Sequence, residues 1–355
     1  MSTDKFHALQ HLNPDRFKIY ASSNGIDWSD ELEAWMIFDP GLILSVLQSE
    51  DFKVSMSSEE IAALGQKLKV DLSAIEQVTD HMPVAHEGHV HSCLRKSMAL
   101  LIGKNSDAAL HSFRAYLSNR AETIFATEGN ADLFRHLLAP GVAILMSALC
   151  ELDLAPMNEE LAPSQILDRL LSANRRKLIN NKIAKIMDAG RDKHPGENIA
   201  LRTAMAVLGS DTLLATLSEN LIYALERNPD SLLSEICWEV NFILTGAPYI
   251  ERTAIKNVLL QDARILPGQR LRLYLDVFGM SNAIPGDSYF GVGKHACLGR
   301  SISLKVWNIL TTSLSRYKKR VELREVIYRK PDYMFRFPSS IKVCIHNEQH
   351  RTTNH

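Results

Sequence analysis

Apolar residues recur at three- and four-residue steps along most of the middle of the chain, a spacing that places them on one face of an α-helix. This pattern predicts helices over residues 106–125, 130–151, 164–172 and 176–188. A further helix is predicted over 300–317, where Ile302, Trp307 and Leu314 belong to the apolar face. We expect most apolar residues of these segments to form the core.

Short runs that read as strands lie nearer the two ends of the chain. They are found at 35–38, 258–264 and 270–275, and a C-terminal hairpin is expected over 328–343. The first run leads through Asp39, Pro40 and Gly41 into a predicted short helix over 41–48. The second is predicted to be part of a hairpin with a turn at Pro267 and Gly268.

The composition is that of a globular protein with a large core, since 46% of the 355 residues are hydrophobic and 23% are charged. This length suits one big domain or two closely packed ones. The chain has 40 basic and 41 acidic residues, a formal net charge of -1. The overall balance therefore favours neither nucleic acid nor an anionic membrane as a partner.

Five cysteines, odd in number and widely scattered, favour a reducing compartment over a disulfide framework. They are Cys93, Cys150, Cys237, Cys297 and Cys344. The sequence after Met1 has no basic region followed by an apolar run, so we predict neither a signal peptide nor a membrane anchor. We expect a cytoplasmic protein.

Cys297 stands between a turn that contains Gly291 and Gly293 and the predicted helix over 300–317. Glycines allow the backbone to pass close to a bulky partner, and the N–H groups at a helix start stabilise a sulfur anion. A thiolate so placed can be a nucleophile, a zinc ligand or an axial iron ligand. The lack of a second cysteine at zinc-ligand spacing disfavours structural zinc.

A group of histidines lies upstream, at His81, His86, His89 and His91. Three of them are close enough in sequence to form a metal site, and a solvated polar loop is the simpler alternative. If the segment is helical, His91 and Arg95 lie on one helix face, where both can meet the carboxylates of one ligand.

Residues 204–214 are apolar on all sides, as a buried helix should be, yet Gly209, Ser210, Asp211 and Thr212 stand in the middle. Buried polar groups need a partner. One possibility is that the hydroxyl groups bond back to the preceding helical turn. The other is that they serve a functional site.

The loop from Phe290 to Gly299, Phe-Gly-x-Gly-x-His-x-Cys-x-Gly, resembles the haem-binding loop of the cytochromes P450 at every defining position. The resemblance implies that Cys297 is the proximal ligand of the iron of haem b. Phe290, Gly291 and Gly299 would shape the loop around it. A chance match to a pattern with this many fixed positions is far less probable than a chance match to a lone glycine motif.

Two other segments resemble the parts of that family that hold the haem propionates. Residues 83–95 are similar to the passage into helix C, whose His-x-x-x-Arg pair would be His91 and Arg95. Arg252 resembles the arginine that reaches a propionate from the strand after the K helix. The resemblance implies that these three side chains and His295 surround the propionates.

The polar residues at 209–212 resemble the Ala/Gly-Gly-x-Asp/Glu-Thr signature of the P450 I helix, with Leu208 where alanine is usual. The resemblance implies that Asp211 and Thr212 relay protons to oxygen at the haem. Four residues are expected to line the substrate pocket: Met82, Met205, Leu208 and Ala247.

One family motif fails. The K helix normally carries Glu-x-x-Arg, but the counterpart at 239–242 ends in Phe242. The meander that normally pairs with this arginine is also shortened, to residues 276–289. The loss of the arginine is consistent with the loss of its partner loop, because an arginine kept without that loop would be a buried, unpaired charge.

Together these motifs imply the cytochrome P450 fold, mainly α with small β-sheets (α+β), in one domain over residues 1–355 with a disordered tail from about 347. They imply a soluble haem-thiolate monooxygenase that inserts one oxygen atom from O₂ into a small apolar or aromatic molecule in a biosynthetic pathway. Electrons would come from a separate ferredoxin or flavodoxin, docked near Lys96, Lys294 and Arg300. No nucleic acid or membrane partner is implied.

Two alternatives stay open. The first is an atypical haem-thiolate enzyme that uses peroxide, or that couples or rearranges its substrate; Asp211 and Thr212 count against it. The second is a catalytically degenerate protein that binds haem or another ligand, and Phe242 with the short meander motivates it.

Overall fold

The computed structural model describes residues 25–30, 32–55, 58–154, 165–166, 171–280, 288–328 and 338–347. Helices dominate these ranges and small sheets flank them, so the predicted fold class, mainly α with small β-sheets, is confirmed. The α-helices are α1 (Pro40–Gln48), α2 (Ser58–Leu68), α3 (Ser73–Thr79), α4 (Gly88–Phe125), α5 (Ala139–Cys150), α6 (Ala173–Lys193), α7 (Ile199–Arg227), α8 (Val277–Met280) and α9 (Arg300–Leu314).

Polar side chains fix where several helices begin. The Asp39 carboxylate accepts the Leu42 N–H at 2.7 Å and starts α1, with Pro40 in the first turn. The Asn198 side chain accepts the Leu201 N–H at 3.0 Å and starts α7. These contacts satisfy N–H groups that a helix leaves unpaired at its first turn.

The strands form three sheets. They are β1 (Ile26–Ser29), β2 (Ala34–Ile37), β3 (Phe52–Val54), β4 (Gly129–Asp132), β5 (Tyr249–Ala254), β6 (Val258–Leu260), β7 (Ala263–Ile265), β8 (Arg270–Tyr274), β9 (Lys319–Tyr328) and β10 (Pro338–Asn347). One five-stranded sheet has the order β1-β2-β8-β5-β3, and its β2 and β8 run parallel, with Ala34 opposite Arg270. The N-terminal strands and the strands around residue 250–274 therefore share a sheet.

The two smaller sheets are local. Strands β6 and β7 form a hairpin in the predicted region, but its turn is at Gln261 and Asp262 and not at Pro267 and Gly268, which connect β7 to β8. Strands β9 and β10 pair antiparallel, and β4 pairs with the other edge of β10. The tip of the β9–β10 hairpin, residues 329–337, and the polar tail, 348–355, lie outside the described residues.

The predicted helix boundaries needed several corrections. The helix expected at 106–125 begins much earlier, at Gly88, and runs for 38 residues as α4. The helix expected at 130–151 begins at Ala139, after a π-helical turn at Phe134–Leu138, because Asn130 belongs to β4 and pairs with Cys344. Most of the segment 164–172 lies outside the described residues. The helices at 176–188 and 300–317 are present as α6 and α9.

Helix α7 runs through the core and packs against α3, α5 and α6. From Ile199 to Ile222 every side chain is buried, with four exceptions close together. These partly exposed residues are Leu208, Gly209, Ser210 and Thr212. Among the described residues α7 is also the one helix long and apolar enough to cross a membrane, but 78% of its most apolar window is buried in the protein, as in a core helix. The middle of α7 is therefore partly accessible to solvent on one side, and these four residues form what is called the opening in α7.

Between Asn228 and Pro248, all of it described, the chain forms no helix. The Asn220 side chain of α7 holds this segment: its amide NH₂ donates to Leu244 O and its amide oxygen accepts the Ile243 N–H, both at 2.7 Å. The Gly246 N–H donates to Thr216 Oγ1 at 2.9 Å. A Cβ at Gly246 would lie 2.4 Å from the Cβ of Ala215. Residues 243–246 thus pack against α7, whereas the counterpart of the K helix before them, 239–242, is irregular chain in which Val240 is exposed.

Candidate functional site

The loop around Cys297 is closed by its own backbone. Gly291 and Gly293 have φ values of +75° and +72°, in the left-handed region where glycine carries no steric penalty. These turns bring the Cys297 N–H to the Phe290 carbonyl oxygen, at 2.8 Å. Helix α9 then begins at Arg300. The loop therefore presents the cysteine beside the start of a helix, as the sequence predicts.

The Cys297 sulfur is prepared for a negative charge. It accepts hydrogen bonds from the N–H groups of Gly299 and Arg300, and the positive charge of Arg95 lies near. Burial raises the pKa of the thiol, and these three contacts lower it without cancelling the rise. The residue has accessible surface, although protein atoms enclose most of the sulfur. The free thiol therefore stays protonated, and binding a metal cation would release the proton.

Four basic side chains converge beside this loop. His91 and Arg95 lie one turn apart on α4, Arg252 comes from β5, and His295 from the loop itself. The rings of His91 and His295 have centroids 4.1 Å apart. The charge of Arg252 acts on His295, and that of Arg95 on both His91 and Cys297. The structure thus brings together the four donors that the sequence places around the propionates.

Among the described residues, three of these donors have no carboxylate within ion-pair distance, and only His295 has one, Glu87. The Nε2 atom of His91 is buried and has no hydrogen-bond partner. In the described part of the chain neither Arg95 nor Arg252 forms an ion pair, and the Arg252 guanidinium donates to the backbone oxygen of Glu251, at 2.8 Å. Burial lowers the pKa of both arginines. A buried donor without an acceptor, such as His91 Nε2, is costly, and the two part-buried guanidinium groups beside it suit an anionic ligand.

Glu87 is the one carboxylate that contacts this group of described residues, and the sequence analysis missed it. It precedes α4; its Oε2 binds Lys294 Nζ at 2.8 Å and His295 Nε2 at 3.3 Å, and its Oε1 accepts the Val54 N–H at 3.1 Å. Burial raises the pKa of Glu87, but these hydrogen bonds outweigh it and the net pKa is lowered. Glu87 is therefore ionised at neutral pH.

His295 is neutral at physiological pH. Burial, together with the positive charge of Arg252 and the nearby His91, lowers its pKa to about 4, although Glu87 acts in the opposite direction. Burial and the charge of Arg95 likewise lower the pKa of His91. Neutral imidazoles can still donate one N–H each to a carboxylate.

Asp211 and Thr212 lie at the opening in the middle of α7. The Thr212 hydroxyl donates to Leu208 O at 2.7 Å, which is the back-bonded arrangement considered from the sequence. The Asp211 side chain is buried. Gly209 makes room for Met146 of α5, since a Cβ there would lie 2.8 Å from Met146 Cε. The described contacts do not join this part of α7 to the Cys297 loop.

The four residues expected to line the pocket differ in exposure. Leu208 and Ala247 are partly exposed, whereas Met82 and Met205 are buried in the core. The other upstream histidines have local partners: His81 and His86 bind the backbone oxygens of Gln77 and Asp80, each at 2.8 Å. His89 lies 3.4 Å from Cys93 Sγ. Within the described ranges no three metal-ligating side chains are grouped to hold a metal ion.

Aromatic side chains occupy the place of the missing Glu-x-x-Arg contact. Phe242 is 1% exposed, and its ring centroid lies 5.6 Å from that of Trp307, 6.2 Å from that of Phe290 and 6.3 Å from that of Tyr289. The Phe242 N–H donates to the Tyr289 hydroxyl at 3.0 Å, and the Trp307 indole N–H donates to Glu239 O at 2.8 Å. Burial raises the pKa of Tyr289 to about 12, so its hydroxyl stays protonated.

Comparisons with known proteins agree on the architecture. No protein-family model matches the chain, and no curated protein matches it. Among solved structures, P450BioI in complex with an acyl carrier protein ligated to hexadec-9Z-enoic acid has a TM-score of 0.73 at 16% identity, covering 96% of this chain and 100% of that one. The chain has the cytochrome P450 fold.

Other P450 structures are similar to the same degree. P450 RauA complexed with a biosynthetic intermediate of aurachin RE has a TM-score of 0.71 at 18% identity, with 96% of this chain and 100% of that one covered. CYP109B1 from Bacillus subtilis has a TM-score of 0.68 at 16% identity, with 93% and 98% covered. Near-complete coverage means that the P450 fold persists here without the K helix.

The residues present fit the haem that the P450 fold implies. The unpartnered Nε2 of His91 and the unpaired guanidinium groups of Arg95 and Arg252 need carboxylates, which haem propionates provide. Cys297 supplies a sulfur that already accepts two backbone N–H bonds, the kind of support that tunes a thiolate ligand of iron.

Proposed function

We propose that the protein is a haem-thiolate monooxygenase that inserts one oxygen atom from O₂ into a small apolar or aromatic molecule. The observation that carries this proposal is the buried Nε2 atom of His91, which has no hydrogen-bond partner, together with the unpaired Arg95 and Arg252 beside Cys297. Cysteine sulfur and propionate-binding donors together suit haem b better than they suit any smaller anion.

The chain's own residues have distinct roles in this proposal. Cys297 binds the iron as a thiolate, and the N–H groups of Gly299 and Arg300 share its negative charge. His91, Arg95, Arg252 and His295 bind and orient the propionates. When bound, haem b supplies the activation of O₂ and the transfer of one oxygen atom.

Asp211 and Thr212 would deliver protons to oxygen at the opening in the middle of α7. The Thr212 hydroxyl donates its proton to Leu208 O, so the lone pairs of its oxygen stay free to accept a hydrogen bond at the opening in α7. Asp211 directly precedes Thr212 and is buried, and its carboxyl group can resupply the proton. This pairing favours O₂ chemistry over a peroxide-driven reaction, which needs no such supply.

We expect Asp211→Asn and Thr212→Ala to uncouple electron consumption from product formation. Proton relays contribute about 100-fold or more to rate, so product formed per reduced cofactor should fall by about tenfold or more while substrate binding is kept. The measurement compares cofactor consumed with product formed. Ser218→Ala, on the buried part of the same helix, is the control. Normal coupling in both relay variants would contradict the assignment.

Electrons are proposed to come from a separate ferredoxin or flavodoxin in the cytoplasm. Lys96, Lys294 and Arg300 are exposed on the side of the Cys297 loop and offer positive charge to an acidic partner, although Lys294 is also paired with Glu87. P450BioI and P450 RauA are bound to a fatty-acyl carrier and a biosynthetic intermediate, which supports a biosynthetic role for this chain.

A second candidate is a protein that binds haem or another ligand without turnover. The missing helix between Asn228 and Pro248 favours it, since this segment normally supports the haem loop. The first test is the difference spectrum of the reduced, carbon monoxide-bound protein, followed by turnover with a reductase system. A strongly red-shifted Soret band with coupled O₂ consumption supports the monooxygenase. A shifted band without any turnover supports the binding protein, and no haem at all would overturn both haem-based functions.

A further inference from the structure

The loop from Phe290 to Gly299, called the thiolate loop, forms ion-pair contacts with one carboxylate among the described residues. Glu87 contacts Lys294 and His295 in the loop, at 2.8 Å and 3.3 Å, and the Val54 N–H of β3, at 3.1 Å. Glu87 itself is the residue directly before α4, the helix that carries His91 and Arg95. One side chain therefore joins three separate elements around the pocket.

The contacts of Glu87 also restrain His295 and the backbone next to Cys297. Because Glu87 binds His295 at Nε2, it restricts the orientation of the ring whose centroid lies 4.1 Å from that of His91. His295 is also two residues from Cys297, within the short turn closed by the bond between the Cys297 N–H and Phe290 O. Restraining His295 therefore restrains the backbone that carries the sulfur.

We propose that Glu87 is a positioning residue, which fastens the thiolate loop to α4 and β3 before haem enters and orients His295 toward the propionates. The proposal rests on the haem-thiolate function above. It assigns to one carboxylate part of the support that the K helix and its meander give in other P450 folds. Glu87 touches neither the iron ligand nor the substrate opening, so it acts through the loop.

The matched control is Glu322 of β9. Its side chain has the same exposed fraction as that of Glu87, 32%, and it also binds a histidine and a cation, His346 at 3.1 Å and Arg324 at 2.7 Å. Glu322→Gln removes the same charge and the same two kinds of side-chain contact, to a histidine and to a cation, in the β9–β10 hairpin. Comparison with Glu87→Gln therefore separates an effect on the loop from a general effect of losing a carboxylate.

The first measurement is hydrogen exchange of the Ala296 and Cys297 amides in the full-length protein purified without haem. We expect exchange about tenfold faster in Glu87→Gln and faster still in Glu87→Ala, because charge-assisted hydrogen bonds that restrain the loop are lost. Glu322→Gln should leave these amides unchanged. Unchanged exchange in Glu87→Ala, or an equal increase in Glu322→Gln, would overturn the proposal.

The second measurement is the reduction potential of the haem-loaded protein. Glu87→Gln removes a negative charge near the iron, so reduction becomes easier and the potential should rise relative to both wild type and Glu322→Gln. An equal potential in the two variants would refute the part of the proposal that concerns the haem pocket. If the wild type takes up no haem, the proposed function fails, whereas the exchange measurement still decides the role of Glu87.

Discussion

Replacing Cys297 by alanine is expected to remove the strongly red-shifted Soret band of the reduced carbon monoxide complex and to abolish turnover. The shift arises from a thiolate ligand, and no other described cysteine lies in a comparable loop: Cys150 is buried, and Cys93 and Cys237 are exposed elsewhere. The measurement is the difference spectrum of the purified variant, recorded beside that of the wild type.

The Cys297→Ala protein should still take up some haem. The four basic side chains of the propionate pocket do not depend on the sulfur, and His91 keeps its unsatisfied Nε2 in the variant. We therefore expect an unshifted band at reduced occupancy. Cys237→Ala is the matched control, because this cysteine is also exposed and should leave the shifted band intact. A shifted band that survives in Cys297→Ala would show that the loop does not supply the ligand.

Local patterns in the sequence predicted the parts of the site that short segments determine. Gly291 and Gly293 signalled backbone turns in the left-handed region, and both have them. The apolar periodicity of 300–317 located α9, and the spacing of His91 and Arg95 placed both on one face of a helix that does form. In each case the neighbours in sequence are also the neighbours in space.

The features that sequence reasoning missed depend on partners far along the chain. Asn130 is a strand residue because Cys344 of β10 pairs with it, not because of its own neighbours. Glu87 gains its role from Val54 and from a loop some two hundred residues later. A carboxylate directly before a helix that carries His91 was the one available signal, and it is a weak one.

The loss of the K helix is a non-local effect of the same kind. The sequence showed that Phe242 replaces an arginine, but it did not show that the helix around it is gone. Asn220 and Thr216 of α7 supply hydrogen bonds to residues 243, 244 and 246, and Gly246 permits the close approach. These residues therefore have backbone partners without a helix, and the residues around Val240 before them are exposed to water.

The aromatic residues around Phe242 then take over the support of the thiolate loop. Tyr289 and Phe290 lead into that loop, and Trp307 lies on the helix that follows it. Contact between these rings and Phe242 fixes both ends of the loop against the segment that replaces the K helix. An ion pair has thus been exchanged for apolar packing, which needs no desolvated charge.

Phe242→Ala is therefore expected to reduce the free energy of unfolding by about 3–5 kcal/mol, the usual range for a buried phenylalanine, out of a total of about 5–15 kcal/mol. It should also lower haem retention, because the cavity it leaves adjoins Phe290 and Trp307. Restoring the family residue with Phe242→Arg should not help, since a guanidinium there would be buried beside rings without a carboxylate partner. Chemical denaturation and haem transfer to an acceptor protein measure the two effects.

Phe125→Ala separates stability from loop support. Phe125 is also 1% exposed and packs on an aromatic ring, that of Tyr317 at 5.0 Å between centroids, at the far end of α4 from His91. Its loss should cost a similar free energy of unfolding but leave the rate of haem loss near that of the wild type under native conditions. If both variants lose haem at the same rate, Phe242 serves only the core. If Phe242→Ala alone loses it faster, aromatic packing has replaced the ion pair in holding the thiolate loop.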